Sequence, residues 1–383
     1  MIYLDNSATT RPFDGVIEAM DRCMRETYFN ASAAYGPALS VEREIGECRR
    51  AVAAQVGASP EEVIFTSGGT EGDNLAVIGV AMTLRRPSNF AVLATEHPAV
   101  AETVRRVEKM GHEVRVLPVD GRGIADLAAC EALLSERTAL VSCMQVSNET
   151  GAIQPIERLA AMARAKNPEV RVHVDGVQGF MRVPMHMARM GVDLYTISGH
   201  KIHGPKGVGA LVVRKGVRLA PQMTGGGQER ALRSGTYNSP AIVGLRAAVR
   251  EMASRREDVE AMRAMKVHLC ELLADEDYVH VNGPLPAQED SAPHILSLSF
   301  EGVRGEVLRN ALEGEGILVS TGSACASHKQ KVSASLKAMG LSGERADGAI
   351  RVSLGLFNTM EEMDELSRKL IRLCATLRQY RRR

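Results

Sequence analysis

Apolar and polar positions along this chain fall into two rhythms. Short hydrophobic runs at 62–66, 91–95, 113–119, 138–146, 171–175, 192–197 and 208–213, each bounded by glycine, proline or polar clusters, predict strands. Between them, 41–56, 72–84 and the stretches opening at Pro98 and Pro155 carry helical spacing, with Gly57 placed to close the first. Strand–helix alternation of this kind predicts a mostly parallel sheet covered by helices. A second pattern follows. Ser239 as cap and Pro240 at the first turn open a predicted long helix over 239–274, a length suited to linking two domains. Beyond it, 295–300 alternates as a half-exposed strand, 306–312 reads as helix, and 317–320 and 349–354 read as strands. Thr359 with Glu362 forms a capping box for a terminal amphipathic helix. The second unit is therefore expected to be α+β.

Composition narrows the class. With 383 residues the chain exceeds what one core usually serves, so two domains are expected. Its 47 basic and 46 acidic side chains balance, which gives no general pull toward nucleic acid or membrane. A cluster of Arg378, Arg381, Arg382 and Arg383 reads as a solvated end. Seven cysteines without paired or zinc-type spacing fit a reducing compartment and no structural metal. Neither a secretory leader nor a membrane-length apolar run is present, so a cytoplasmic location is expected.

Chemistry concentrates where strands end. The decapeptide 198–207 places Lys201 between His200 and His203 among glycines, wedged between two predicted core strands. It reads as a loop holding an anionic ligand and a reactive amine, or else as a solvated basic turn. Ser67, Gly68, Gly69, Thr70 and Glu71 link a strand to a helix start, an anion site in the making or an ordinary connection. His97, Asn148, Asp175 and Gln178 each follow a predicted strand, and ligands of parallel sheets sit beyond those carboxyl ends. An aldehyde cofactor with a phosphate and a pyridine ring needs an amine, a carboxylate for the ring nitrogen, a flat stacking group and phosphate donors. Lys201, Asp175 and His97 can be the first three. Gly69, Thr70, Ser198, His200 and Thr236 can supply the fourth.

These motifs, in this order, resemble the class V aminotransferase family, and within it the cysteine desulfurases of the NifS/IscS type. The resemblance runs through Thr66–Glu71, Glu96–Pro98, Val174–Gln178, Ser198–Lys201, Gly225–Glu229, Arg233–Thr236, Ser323–Cys325 and Ile350–Leu354. It implies an α/β, pyridoxal-phosphate-dependent transferase of fold type I: a mostly parallel seven-stranded sheet between helices, plus a smaller α+β domain. On that pattern 14–252 is the large domain, while 1–13 and 253–383 form the small one. The implied protein is a homodimer with sites at its interface that converts L-cysteine to L-alanine. The implied acceptors are iron–sulfur or other thio-cofactor assembly proteins. Carried over by position, Lys201 attaches the cofactor and moves the α-proton, His97 stacks on the ring, Asp175 meets the pyridinium and Gln178 the phenolic oxygen. Gly69, Thr70, Ser198 and His200 hold the phosphate, Thr236 reaches it from the other subunit, and Asn148 and Arg351 grip the substrate carboxylate. Cys325 takes the sulfur; it lies among small residues near His328, Lys329 and Lys331, which favour a thiolate. Rival readings are a selenocysteine lyase or related lyase, and a non-catalytic partner in a sulfur relay. The chain departs from the family's usual residues at Ala31, Ser147, Gly176 and after Cys325.

Overall fold

The computed structural model describes residues 1–321 and 333–379; the expectations for Cys325, His328, Lys329 and Lys331 lie outside them. In chain order the strands are β1 (Ile2–Tyr3), β2 (Val63–Thr66), β3 (Asn89–Leu93), β4 (Glu113–Leu117), β5 (Thr138–Met144), β6 (Arg171–Asp175), β7 (Leu194–Ser198), β8 (Gly209–Val213), β9 (Val279–Asn282), β10 (Ile295–Phe300), β11 (Ile317–Leu318) and β12 (Ala349–Ser353). β2 to β8 form one seven-stranded sheet in the order β2-β8-β7-β6-β5-β3-β4. Pairing is parallel from β4 through β3, β5 and β6 to β7, and only β8 runs antiparallel to its two neighbours.

Both faces of this sheet are covered, which is why its strands read as nearly unbroken apolar runs. Period-two alternation sorts their side chains between layers. Phe90 and Val92 of β3 join a cluster with Leu75, Val80, Val100 and Val104, whereas Ala91 and Leu93 face the larger core on the other side. Helix α1 (Gly69–Ala81) and helix α2 (Pro98–Lys109) cover the first face. On the opposite side lie helix Gly36–Val56, closed by Gly57 at φ 65°, and helix Ile156–Lys166.

A second sheet, β12-β10-β9, is antiparallel, and β1 pairs with β11. The first six residues are tied to C-terminal strands: Leu4 N–H bonds the Leu318 carbonyl at 2.9 Å and Asn6 N–H the Ser353 carbonyl at 3.2 Å. Two expectations need correction here. The predicted helix over 239–274 is two helices, Ser239–Ser254 and Arg256–Leu272, and its cap is Asn238, whose side chain accepts from Ala241 N–H. Arg255 leaves helical geometry at the break, pairs with Glu251 at 2.9 Å and lies over the Phe13 ring, so packing overrides the local pattern. β10 is buried on both faces rather than half-exposed, because Ser297 and Ser299 accept from the buried Asn282 amide. No helix among the described residues is long and apolar enough to cross a membrane.

Candidate active site

Loops leaving the carboxyl ends of β2, β3, β5, β6 and β7 converge on one cavity of about 410 Å³. Its walls include Gly69, Thr70, His97, Asn148, Asp175, Gln178, Ser198, His200, Lys201 and Arg351, which is every described site nominee except Thr236. Thr236 is exposed and does not line it. Parallel topology produces this convergence, since strands that run the same way end at the same edge.

Lys201 closes a single 3-10 turn directly after β7. Its Nζ donates to the carbonyl oxygens of Ser7, at 2.5 Å, and Ala8, at 2.8 Å, so the N-terminal segment forms part of the wall. Burial, with help from Arg351 and Arg182, brings the amine down to about 8, while Asp5 and Asp175 pull the other way. Asp175 ends β6 and is 5% exposed. Its Oδ1 accepts from Val177 N–H at 2.9 Å, and burial, then Asp73, push the carboxyl up to about 6. His97 caps α2, with Nδ1 accepting from Ala99 N–H at 3.1 Å. That bond fixes the ring proton on Nε2 in the neutral imidazole, and burial lowers the ring's pKa. Asp73, His97 and Asp175 each bring one oxygen or nitrogen within 4.8 Å of the others.

At the other end, α1 begins without a side-chain cap, from Gly68 at φ 155°. Its first-turn N–H groups therefore remain available to an anion. Gly69 has no room for a side chain, because a Cβ there would lie 2.7 Å from Val177 Cγ2. Ser198 and His200 flank the lysine, and His200 Nδ1 meets Thr9 Oγ1 at 3.1 Å. Gln178 donates from Nε2 to the Ser7 carbonyl at 3.0 Å. Arg351 projects from β12, held by Asp5 at 2.7 Å and by the Asn148 carbonyl at 2.8 Å, with Nε unpaired among the described residues.

Several contributors carry no signal in a linear reading. Asp5, Ser7 and Ala8 act from nearly two hundred positions or more away from Lys201 or Arg351, partly through backbone carbonyls. Behind the cavity, Ser142 Oγ links Glu96 at 3.0 Å to His173 Nδ1 at 2.9 Å, and His173 Nε2 reaches Thr196 at 3.1 Å and Asp73 at 3.4 Å. Burial raises Asp73 to about 7 and lowers His173 to about 4. Glu96 belongs to the motif Glu96–Pro98 and His173 to the apolar run 171–175, but only the sheet register aligns them.

Residues 2–366 match the pattern described as aminotransferase class-V. The chain belongs to the class-V aminotransferase family. Cysteine desulfurase IscS of Escherichia coli O139:H28 is 42% identical to it, spanning 97% of this chain and 92% of that one. A solved NifS-like protein superposes with a TM-score of 0.91 at 39% identity, covering 98% of this chain and 99% of its own. A second solved structure, SspA in complex with cysteine, gives a TM-score of 0.81 at 30% identity, covering 94% of this chain and 100% of its own. The fold class that the resemblance implies, fold type I with a mostly parallel seven-stranded sheet between helices plus a smaller α+β domain, agrees with that membership.

Pyridoxal 5'-phosphate is the family's cofactor, and this class-V cavity fits it. A buried carboxylate that no lysine or arginine among the described residues contacts, Asp175, suits a pyridinium N–H. A lysine amine lowered to about 8 suits an aldehyde, and the uncapped start of α1 suits a phosphate. Two departures from the family's usual residues are also explained. Ser147 is 1% exposed and its Oγ accepts from Glu149 and Thr150 N–H, so it shapes the turn below Asn148 instead of facing substrate. Gly176 lies against the Tyr195 ring. The described cysteines are free thiols, buried except for the half-buried Cys270, and burial raises every one, for example Cys48 to about 12. They are packing residues, not nucleophiles.

Proposed function

We propose that this chain is a pyridoxal-phosphate-dependent cysteine desulfurase, converting L-cysteine to L-alanine and passing the sulfur to an acceptor protein of iron–sulfur or other thio-cofactor assembly. The observation that carries this reading is the single cavity joining a buried carboxylate, Asp175, that no described lysine or arginine contacts, to a lowered lysine amine, Lys201. When bound, pyridoxal phosphate supplies an electron sink conjugated to the substrate's α-carbon. Lys201 would provide the amine that attaches the cofactor and act as the base that moves the proton at the substrate's α-carbon. His97 stacks on the ring and holds a proton at Nε2 for exchange with the substrate sulfur. Asp175 would meet the ring nitrogen, Gln178 the phenolic oxygen, and Gly69, Thr70, Ser198 and His200 would hold the phosphate. Arg351, with its free Nε, and Asn148 orient the substrate carboxylate, a planar group matched to a guanidinium fork. Cys325 attacks the substrate sulfur as thiolate. A sulfur–sulfur bond forms as the carbon–sulfur bond breaks; the electron pair of that bond goes to the substrate carbon side, the β-carbon takes up a proton, and the products are a persulfide on the protein and alanine.

In this reading a second copy of the chain completes the site, with Thr236 reaching the partner's phosphate, and 14–252 acts as one body against 1–13 and 253–383. A cytoplasmic location is part of the same proposal. The test is sulfide and alanine from L-cysteine, run beside L-selenocysteine. Borohydride should fix the cofactor to Lys201. Cys325→Ala should keep the yellow cofactor and bind cysteine while losing sulfide release with a thiol reductant. Full turnover by that variant removes Cys325 from the mechanism. Activity confined to selenocysteine favours the lyase, and no activity on either favours the non-catalytic relay partner.

A further inference from the structure

Among the described residues, a buried cation beneath the reactive lysine has no acid to pair with. Arg182 follows Met181 (φ 65°) in the turn after β6 and is 5% exposed. Its Nη2 donates to the backbone carbonyl of Lys201, and its Nε and Nη1 have no partner among the described residues. The titratable groups that feel its charge are bases: Lys201, His203 and His294. A buried guanidinium without a carboxylate is costly to fold around, and an apolar side chain would fill the same space at lower cost. Such groups concentrate where chemistry needs them.

The charges around Lys201 show what this one can do. Arg351 on β12 also repels the ammonium form, but Asp5 sits against Arg351 at 2.7 Å and draws the amine's pKa the other way. Asp175 at the end of β6 favours the ammonium as well. His97 at the start of α2 and His200 beside the lysine have lowered pKa values, as does His294 before β10, so none adds a full charge near neutrality. Arg182 is thus the cation near Lys201 that pairs with no acid among the described residues. We propose that Arg182 is a positioning residue acting through Lys201: it holds the Lys201 carbonyl and supplies a positive charge, paired with no acid among the described residues, that adds to burial in disfavouring the ammonium form. A free base is what condensation with an aldehyde requires, and what accepting a proton from carbon requires. The inference rests on Lys201 being the cofactor lysine.

The test uses the apoprotein, so it does not depend on turnover. Competitive acylation from neutral to alkaline pH, with the Lys201 peptide read by mass spectrometry, gives the pH of half-labelling. Wild type is expected near about 8. Arg182→Met should raise that midpoint by roughly one unit, the scale of one like charge sharing a buried site. Arg182→Gln, which keeps a donor for the Lys201 carbonyl without the charge, should move it similarly. Arg182→Lys, which keeps the charge, should restore the wild-type midpoint. If Arg182→Met fails to fold, the Gln and Lys pair carries the comparison alone. The proposal is overturned if the uncharged variants leave the midpoint where it was, or if Arg182→Lys moves it as far as they do. A wild type that never takes up pyridoxal phosphate defeats the cofactor reading instead, and leaves the amine titration standing.

Discussion

Alanine at position 176, the residue that usually follows the aspartate in this family, should not be tolerated in this chain unless Tyr195 changes with it. A Cβ on Gly176 would stand 2.0 Å from Tyr195 Cζ and 2.3 Å from its Oη. The ring is fully buried, and its hydroxyl donates to Gln145 Oε1 at 2.6 Å. Gln145 is pinned in turn, because a Cβ on Gly179 would meet that same Oε1 at 2.0 Å. Two glycines therefore make room for one buried Tyr–Gln pair beneath Asp175. Ordinary contact begins near 3.4 Å, so the ring would have to move by more than 1 Å in a core with no slack. Overpacking of that kind costs about 1–3 kcal/mol, so Gly176→Ala should destabilise by that amount. Tyr195→Leu alone should cost about 2–3 kcal/mol, from lost ring volume and an abandoned Gln145 oxygen. With leucine at 195 the added methyl has space, so the double variant should be about 1–3 kcal/mol more stable than the two single losses predict. Urea unfolding of the apoproteins by circular dichroism, at one fixed protein concentration, measures the cycle. Additivity to within about 0.5 kcal/mol would mean the two positions do not share that space, and the steric argument fails.

Three further outcomes follow from the same geometry. Glu229 takes both Arg49 and the Phe65 N–H inside a turn whose residues 229–231 all have positive φ, so Glu229→Gln should leave Arg49 unneutralised and cost about 3 kcal/mol in urea unfolding; a loss under about 1 kcal/mol speaks against a buried pair. Asp175 has a folded pKa raised from 3.8 to about 6, so the folded apoprotein holds more protons there than the unfolded chain, and stability must fall as pH rises through that window. Asp175→Asn should flatten this fall in a pH series of melts, and pyridoxal phosphate should stabilise wild type more than the variant above pH 6; an unchanged slope counts against the assignment. Arg351→Lys cannot reach Asp5 and the Asn148 carbonyl together, so KM for L-cysteine should rise about tenfold or more with the cofactor absorbance unchanged, and an unaltered KM removes Arg351 from substrate binding.

Most of this site is legible in the chain because the topology is simple. Once β2, β3, β5, β6 and β7 are read as strands pointing one way, Thr70, His97, Asn148, Asp175 and Lys201 must meet at one edge. What escapes a linear reading does so for physical reasons. Ser7 and Ala8 contribute carbonyl oxygens, which every residue has, so their side chains give no hint. The break at Arg255 comes from its reach to Phe13 and Glu251, and nothing local forbids a continuous helix there. The serines of β10 look like a solvent face until Asn282 on the neighbouring strand claims them.

The same separation explains why the cavity is electrically open. Asp73 and Asp175 lie on α1 and β6, and Glu96 follows β3; all three are buried, and burial raises all three. Lys201 and Arg182 come from the turns after β7 and β6, and burial lowers both. Adjacent, these acids and bases would neutralise one another and the fold would gain from it. The sheet register holds them on different walls, where neither set satisfies the other and each costs stability. A molecule that is cationic where it meets Asp175 and electrophilic where it meets Lys201 relieves both walls at once, without rearranging either. Binding of the cofactor should therefore appear as added stability as well as added colour, and the gain should be largest above the pH at which Asp175 has lost its proton.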